Sequence, residues 1–127
     1  MAEHRAFTEL DIAGITELVK RYKADGLDAD QNVDNKERGV VRIAFENPVT
    51  RDGSIVVLDV HKLSRKKYAL RRAHWVVQLS SRDASGVFKQ HGCVAAPTQA
   101  DALQMAEVDL KNGFLSVADF SIASEAR

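Results

Sequence analysis

One stretch of the sequence concentrates the side chains that could do chemistry, and their chemistry is that of anion binding. Residues 61–82 contain seven Lys and Arg and no Asp or Glu. Residues 1–60 contain 8 basic and 12 acidic side chains, and residues 83–127 contain 3 and 6, so the formal net charge of zero is the sum of +7, −4 and −3. Because the field of such a cluster extends about one Debye length in physiological salt, this stretch is the best candidate for an interaction surface.

Phosphate is the anion that this pattern favours. Several cations within a few residues neutralise backbone phosphates without recognising a base sequence, and an aromatic ring among them can stack on an unpaired base. The residues that we predict to bind nucleic acid are Lys62, Arg65, Lys66, Lys67, Tyr68, Arg71 and Arg72. The alternative is a solvated hairpin whose cations protect edge strands and pair with acidic side chains, which is the more frequent role of a basic cluster alone.

The histidines and the cysteine offer little catalytic chemistry. None of the four histidines has the paired helical spacing or the neighbouring ligands of a zinc motif. If the strands that carry His61, His74 and His91 are neighbours, these imidazoles and Asp59 could form a ligand set or an acid-base pair, but separate imidazoles are the simpler expectation. Cys93 has no adjacent cation that would activate a thiol, which favours a small buried hydrophobe. We therefore predict a binding protein, with no enzymatic activity, metal or cofactor.

Two amphipathic helices are predicted to frame the chain. The first begins after Thr8, whose spacing to Asp11 fits a capping box, and ends at Gly26. The second begins after Thr98 and ends at Asn112-Gly113, with small and aliphatic residues on one side. Each helix has a polar face and an apolar face, so each needs a surface to cover.

Four strands are predicted between the helices, near residues 41–46, 55–63, 73–79 and 87–95. The expected fold class is α+β, in the order α-β-β-β-β-α, with a four-stranded antiparallel sheet and both helices packed on one of its faces. Residues 25–39 are predicted to be a flexible acidic loop, and residues 64–72 an extended hairpin connection between the second and third strands. At 127 residues the chain is expected to form a single domain, residues 1–127.

The ends of the chain and its location can also be predicted. Five apolar residues make residues 114–127 too hydrophobic to be left in water, which predicts that this tail packs on the core or meets a second subunit: Phe114, Leu115, Val117, Phe120 and Ile122. No run approaches the about 18 apolar residues that span a bilayer, and the first ten residues lack the apolar core of a secretory signal. A single cysteine excludes an internal disulfide. We therefore expect a cytoplasmic protein without membrane contact.

The order of predicted elements is similar to that of double-stranded RNA-binding domains, in which a helix, an antiparallel sheet and a second helix follow one another. Those domains carry a basic start to the second helix, whereas here the corresponding turn is Thr98-Gln99-Ala100-Asp101, which disfavours phosphate. The final ββα part is also similar to the sheet modules of small antitoxin proteins. The expected function is a small binding domain that contacts nucleic-acid phosphates; the alternative is a protein interaction module that uses the sheet edge or the apolar tail.

Overall fold

A five-stranded antiparallel sheet forms the centre of the computed structural model, which describes residues 4–63 and 75–114. The elements follow in the order α1 (Glu9–Ala24), β1 (Ala29–Asn32), a 3-10 helix (Lys36–Arg38), β2 (Val40–Glu46), β3 (Ile55–Lys62), β4 (Trp75–Arg82), β5 (Phe88–Ala96) and α2 (Gln99–Lys111). Each strand pairs with the next one along the chain, so the spatial order is β1-β2-β3-β4-β5. The expected α+β class, with two helices and an antiparallel sheet, is confirmed.

One face of the sheet supplies most of the core because apolar residues alternate along its central strands. In register, Val41, Val60, Val77 and Val94 form one buried row across β2 to β5. A second row contains Ile43, Leu58 and Leu79, all fully buried. Helices α1 and α2 contribute Ile15, Leu18, Val19, Tyr22, Ala102, Leu103, Ala106 and Leu110 to the same cluster. Helix α1 contacts β1 and β2, and α2 contacts β4 and β5. Because both helices belong to the same buried cluster, they lie on the same face of the sheet.

Local capping explains where the helices begin. The Thr8 hydroxyl accepts a hydrogen bond from the Asp11 backbone N–H at 3.2 Å, and the Asp11 carboxylate accepts one from the Thr8 N–H at 2.8 Å. This reciprocal arrangement is the predicted capping box. In α2 the Thr98 hydroxyl accepts from the Asp101 N–H at 3.2 Å. The two helix starts were predictable because they depend on residues only three positions apart.

The expectation of four strands is wrong, because a fifth strand, β1, lies inside the segment that was expected to be a flexible loop. Residues Ala29 to Asn32 pair with Phe45 to Arg42 of β2, and the 3-10 helix follows four residues later. The strand has no β-branched residue and no long apolar side chain, which is why its composition suggests a loop. Strand preference is set largely by neighbours, and here β2 provides the backbone partners.

The opposite face of the sheet is not covered by a helix in the described part of the chain. Its side chains range from buried to exposed, and they include a polar row and a small apolar cluster made of Leu63, Val76 and Cys93. We use the name open face for this side of the sheet.

Candidate nucleic-acid interface

Residues 64–74, which we call the basic segment, connect two neighbouring strands at one end of the sheet. Lys62, the last residue of β3, is paired in register with Trp75, the first residue of β4. Residues 64–74 contain five Lys and Arg and no acidic residue. The chain therefore leaves and re-enters the sheet at adjacent positions, with this concentration of cations between them.

Lys62 itself is used in an ion pair at the end of the sheet. Its ammonium Nζ lies 2.6 Å from the Asp11 carboxylate and 5.5 Å from the centre of the Trp75 ring, on the face that the helices cover. The Lys62 and Asp11 side chains are only 18% and 17% exposed. Burial raises the pKa of Asp11, but the hydrogen bonds from Lys62 and Thr8 outweigh it and hold the pKa below its usual value. This pair attaches the start of α1 to the sheet, and the Asp11 carboxylate balances the charge of Lys62 there.

Breaking this pair is expected to destabilise the fold in a pH-dependent way. Lys62→Met keeps an apolar stem on Trp75 and should lower the free energy of unfolding at pH 7 by about 1.5–3 kcal/mol, the range for a hydrogen bond to a charged group. Because the pKa of Asp11 is lowered in the folded chain, its ionised form stabilises the fold above its ordinary value of 3.8, and this contribution disappears as the pH falls further. The difference between variant and wild type should therefore shrink in acid.

Urea unfolding at neutral and acid pH measures this effect, and Lys20→Met is the matched control. Lys20 pairs with Glu17 at 3.7 Å, but the two side chains are 68% and 75% exposed. Its loss should cost no more than about 0.5 kcal/mol. A Lys62→Met variant that loses the same stability at both pH values would contradict the ion-pair assignment.

Further cations surround the point where the basic segment begins. The N-terminal residues run beside the end of β3: the Arg5 N–H donates to the Lys62 carbonyl at 2.9 Å, and the Phe7 N–H donates to the Lys36 carbonyl at 3.0 Å. Arg5, Lys36 and Arg38 are exposed, and none forms an ion pair with a residue that the structure describes. Glu37 is the one acidic residue of the 3-10 helix. This end of the sheet therefore carries positive charge besides that of the basic segment.

Gly39 allows the N-terminal residues to cross this end of the sheet. Its φ is +81°, and an added Cβ would lie 2.6 Å from the Arg5 carbonyl oxygen and 2.8 Å from the His4 Cβ. Gly39→Ala should therefore cost about 1–3 kcal/mol for the backbone conformation, and the backbone clash adds to that cost. The Arg5 and Phe7 amides should also exchange with solvent faster in the variant.

Gly26→Ala is a matched control for this prediction. Gly26 has a φ of +84°, but no atom lies within 4 Å of the Cβ position. The two substitutions share the backbone penalty and differ in the steric one. Denaturant unfolding should show the larger loss for Gly39→Ala, and equal losses would mean that the N-terminal residues do not pack on Gly39.

Polar side chains cross the open face next to this end. One row of paired residues crosses the five strands: Asn32, Arg42, Asp59 and Gln78, followed by the buried Cys93 of β5. The Arg42 guanidinium donates to both oxygens of the Asp59 carboxylate, at 2.8 and 3.2 Å. These hydrogen bonds raise the pKa of Arg42, so its charge persists at every working pH. On the same face, the row that contains His61 lies two register positions further toward the end of β3.

His61 has a histidine partner that the sequence did not suggest. His61 Nδ1 lies 2.9 Å from His4 Nε2, and His61 Nε2 lies 2.8 Å from Gln78 Oε1. If His61 Nε2–H donates to Gln78, His61 Nδ1 accepts from His4 Nε2–H, so the three side chains form one chain of hydrogen bonds. This chain attaches the N-terminal residues to β3 and β4.

His91 lies elsewhere, which corrects the possibility that it meets His61. It is located at a bulge in β5, on the side of the helices, and its ring stacks on Phe114 at 3.8 Å. Its Nε2 is 2.7 Å from the Ser81 hydroxyl. Burial and the charge of Lys89 lower the pKa of His91, which favours the neutral ring. Because no described residue orients its second ring nitrogen, the Ser81–His91 pair lacks the third member of a catalytic triad.

The remaining predicted residues fall into two groups. Cys93 is fully buried, as expected of a small hydrophobe. Arg65, Lys66, Lys67, Tyr68, Arg71, Arg72 and His74 lie outside the described residues, as do tail residues 115–127; Phe114, the first tail residue, is half-buried against the core. Among residues 4–63 and 75–114, no three His, Cys, Asp or Glu side chains are grouped to hold a metal ion, and no helix is long and apolar enough to cross a membrane.

Comparison with known proteins adds no functional assignment, because no protein-family model, curated protein or solved structure matches this chain. The function must therefore be inferred from the charge distribution and the geometry of the sheet end.

Proposed function

We propose that this chain is a nucleic-acid-binding domain that contacts backbone phosphates at the end of the sheet where β3 ends and β4 begins. The observation that carries the proposal is the concentration of charge there. Residues 64–74 contribute five cations and no acid, and Arg5, Lys36 and Arg38 are exposed beside their starting point. The proposed phosphate contacts are Arg65, Lys66, Lys67, Arg71 and Arg72, with Tyr68 as a stacking ring.

The remainder of the chain favours a local contact. Outside residues 61–82 the net charge is −7, from 11 basic and 18 acidic side chains. A polyanion is therefore attracted to one end of the molecule and repelled by much of the rest. A contact of this kind recognises phosphate, so little dependence on base sequence is expected.

Titration of the protein with fluorescent single-stranded and double-stranded oligonucleotides at increasing salt tests the proposal. Phosphate contacts release counterions, so the logarithm of the affinity should fall linearly with the logarithm of the salt concentration. Retention of neither DNA nor RNA at low salt, where such contacts are strongest, would refute the proposal.

We further infer a cytoplasmic location, since a chain with one cysteine has no internal disulfide that needs an oxidising compartment.

A protein interaction through the sheet edge is the second candidate. In the described part of the chain β5 pairs only with β4, and two apolar side chains at its start, Val87 and Phe88, are 61% and 55% exposed. An exposed strand edge can pair with another chain. Such a contact depends on backbone hydrogen bonds and apolar burial, so it should persist at a salt concentration that removes phosphate binding.

A further inference from the structure

A cavity of about 250 Å³ lies on the open face, near the end of β3. Its lining residues are Asn32, Asn35, Val40, Arg42, Asp59 and His61. Asn35 directly precedes the 3-10 helix that carries Lys36 and Arg38, and Lys62 follows His61 at the start of the basic connection. The cavity is smaller than the about 300–1,000 Å³ of pockets for drug-sized ligands, so it fits a smaller ring system.

The polar groups of the cavity suit a neutral ligand better than an anion. Arg42 and Asp59 form a pair with no net charge, and the carboxylate would repel a phosphate placed between them. Two of the five Arg42 N–H groups bind Asp59, so three remain to donate. The Asp59 oxygens keep lone pairs that can accept.

The asparagines add both kinds of hydrogen-bonding group. Asn32 uses its side-chain oxygen to accept from the Asp34 N–H at 2.9 Å, which leaves its NH₂ group to donate. Asn35 makes no side-chain hydrogen bond to the 3-10 helix that it precedes, so its amide can both donate and accept. His61 contributes ring surface, because both of its nitrogens already have partners.

We propose that this cavity receives one unpaired base of a single-stranded nucleic acid whose phosphates lie on the neighbouring cations. The inference rests on the proposed function and specifies its substrate class. A base edge carries adjacent donors and acceptors and no charge, which matches the Arg42–Asp59 pair and the two amides. In a duplex the pairing edge of the base is occupied by its partner, so the cavity selects single strands.

The test compares Asn35→Ala with Asn112→Ala. Asn35 is exposed and lines the cavity, whereas Asn112 is an exposed residue at the far end of α2. With a labelled single strand as the probe, Asn35→Ala should weaken binding about 2–10-fold, the equivalent of one hydrogen bond. The salt slope should not change, because the amide carries no charge, and the affinity for the corresponding duplex should stay the same. Asn112→Ala should have no effect on either affinity.

Equal affinities of the two variants for the single strand, or an equal loss of affinity for single strand and duplex, would overturn the proposal while leaving phosphate binding intact.

NMR titration with adenosine, a nucleoside without phosphate, tests the cavity independently of the basic segment. Saturable shifts of the Asn32 and Asn35 side-chain amides support the base site even if no polymer is retained, and absent shifts contradict it. Ribose alone should cause no shift; the same shifts with ribose would mean that the cavity binds a sugar and not a base.

Discussion

Replacing Trp75 with Ala should lower the free energy of unfolding by about 3–5 kcal/mol, as truncation of a large core aromatic does. Trp75 is 7% exposed and belongs to the same buried cluster as Val77 and Leu103. The Phe7 ring meets it edge-to-face at 5.4 Å, and the Lys62 ammonium lies over it. The substitution therefore leaves a cavity and also removes the surface on which the N-terminal residues and the Asp11–Lys62 pair rest.

Phe88→Ala is the control for this prediction. Phe88 is also a large aromatic residue at the start of a strand, but its side chain is 55% exposed. Its truncation should cost well under half as much, since less apolar surface leaves the core. Urea unfolding measures both variants. Because Trp75 is the only tryptophan, the emission of the native protein also reports on it; emission typical of an indole in water would contradict the placement.

Interactions between near neighbours in the sequence were predictable. The capping box of α1 depends on Thr8 and Asp11, and the alternation of Trp75, Val77 and Leu79 correctly indicates the side of β4 that packs against the helices. These patterns depend on helix and strand periodicity, which a single sequence displays directly. The two helices and the antiparallel arrangement of the sheet followed from the same signals.

Contacts between distant residues were not predictable, and they decide the candidate site. Asp11 and Lys62 are 51 positions apart, and His4 and His61 are 57 apart. The crossing of the N-terminal residues over Gly39 brings His4 to this end of the sheet, and no local sequence pattern indicates that crossing. For the same reason the sequence does not show that a carboxylate balances the charge of Lys62, one of the predicted phosphate contacts. Strand β1 was missed because its partner, and not its own composition, makes it a strand.

The charge of the basic segment can be separated from the charge of the whole protein by paired variants. In the first, Arg65, Lys66, Lys67, Arg71 and Arg72 are changed to Gln. In the second, five exposed cations away from the candidate interface are changed to Gln: Lys20, Lys23, Arg51, Lys89 and Lys111. Both variants lose five positive charges, so a general effect of net charge would weaken nucleic-acid binding equally in the two.

The first variant should lose binding to generic DNA and RNA, and the second should keep it. Each phosphate contact that is removed flattens the slope of log affinity against log salt by about 0.7 for a single strand and about 0.9 for a duplex. Variants that lose only some of the five cations should therefore show a reduction in slope that is proportional to the number of contacts removed. Tyr68→Ala should weaken only single-strand binding, by about 1–3 kcal/mol, if its ring stacks on a base. Equal loss of binding in the two five-residue variants would refute the localised interface, because attraction would then depend on net charge and not on the connection between β3 and β4.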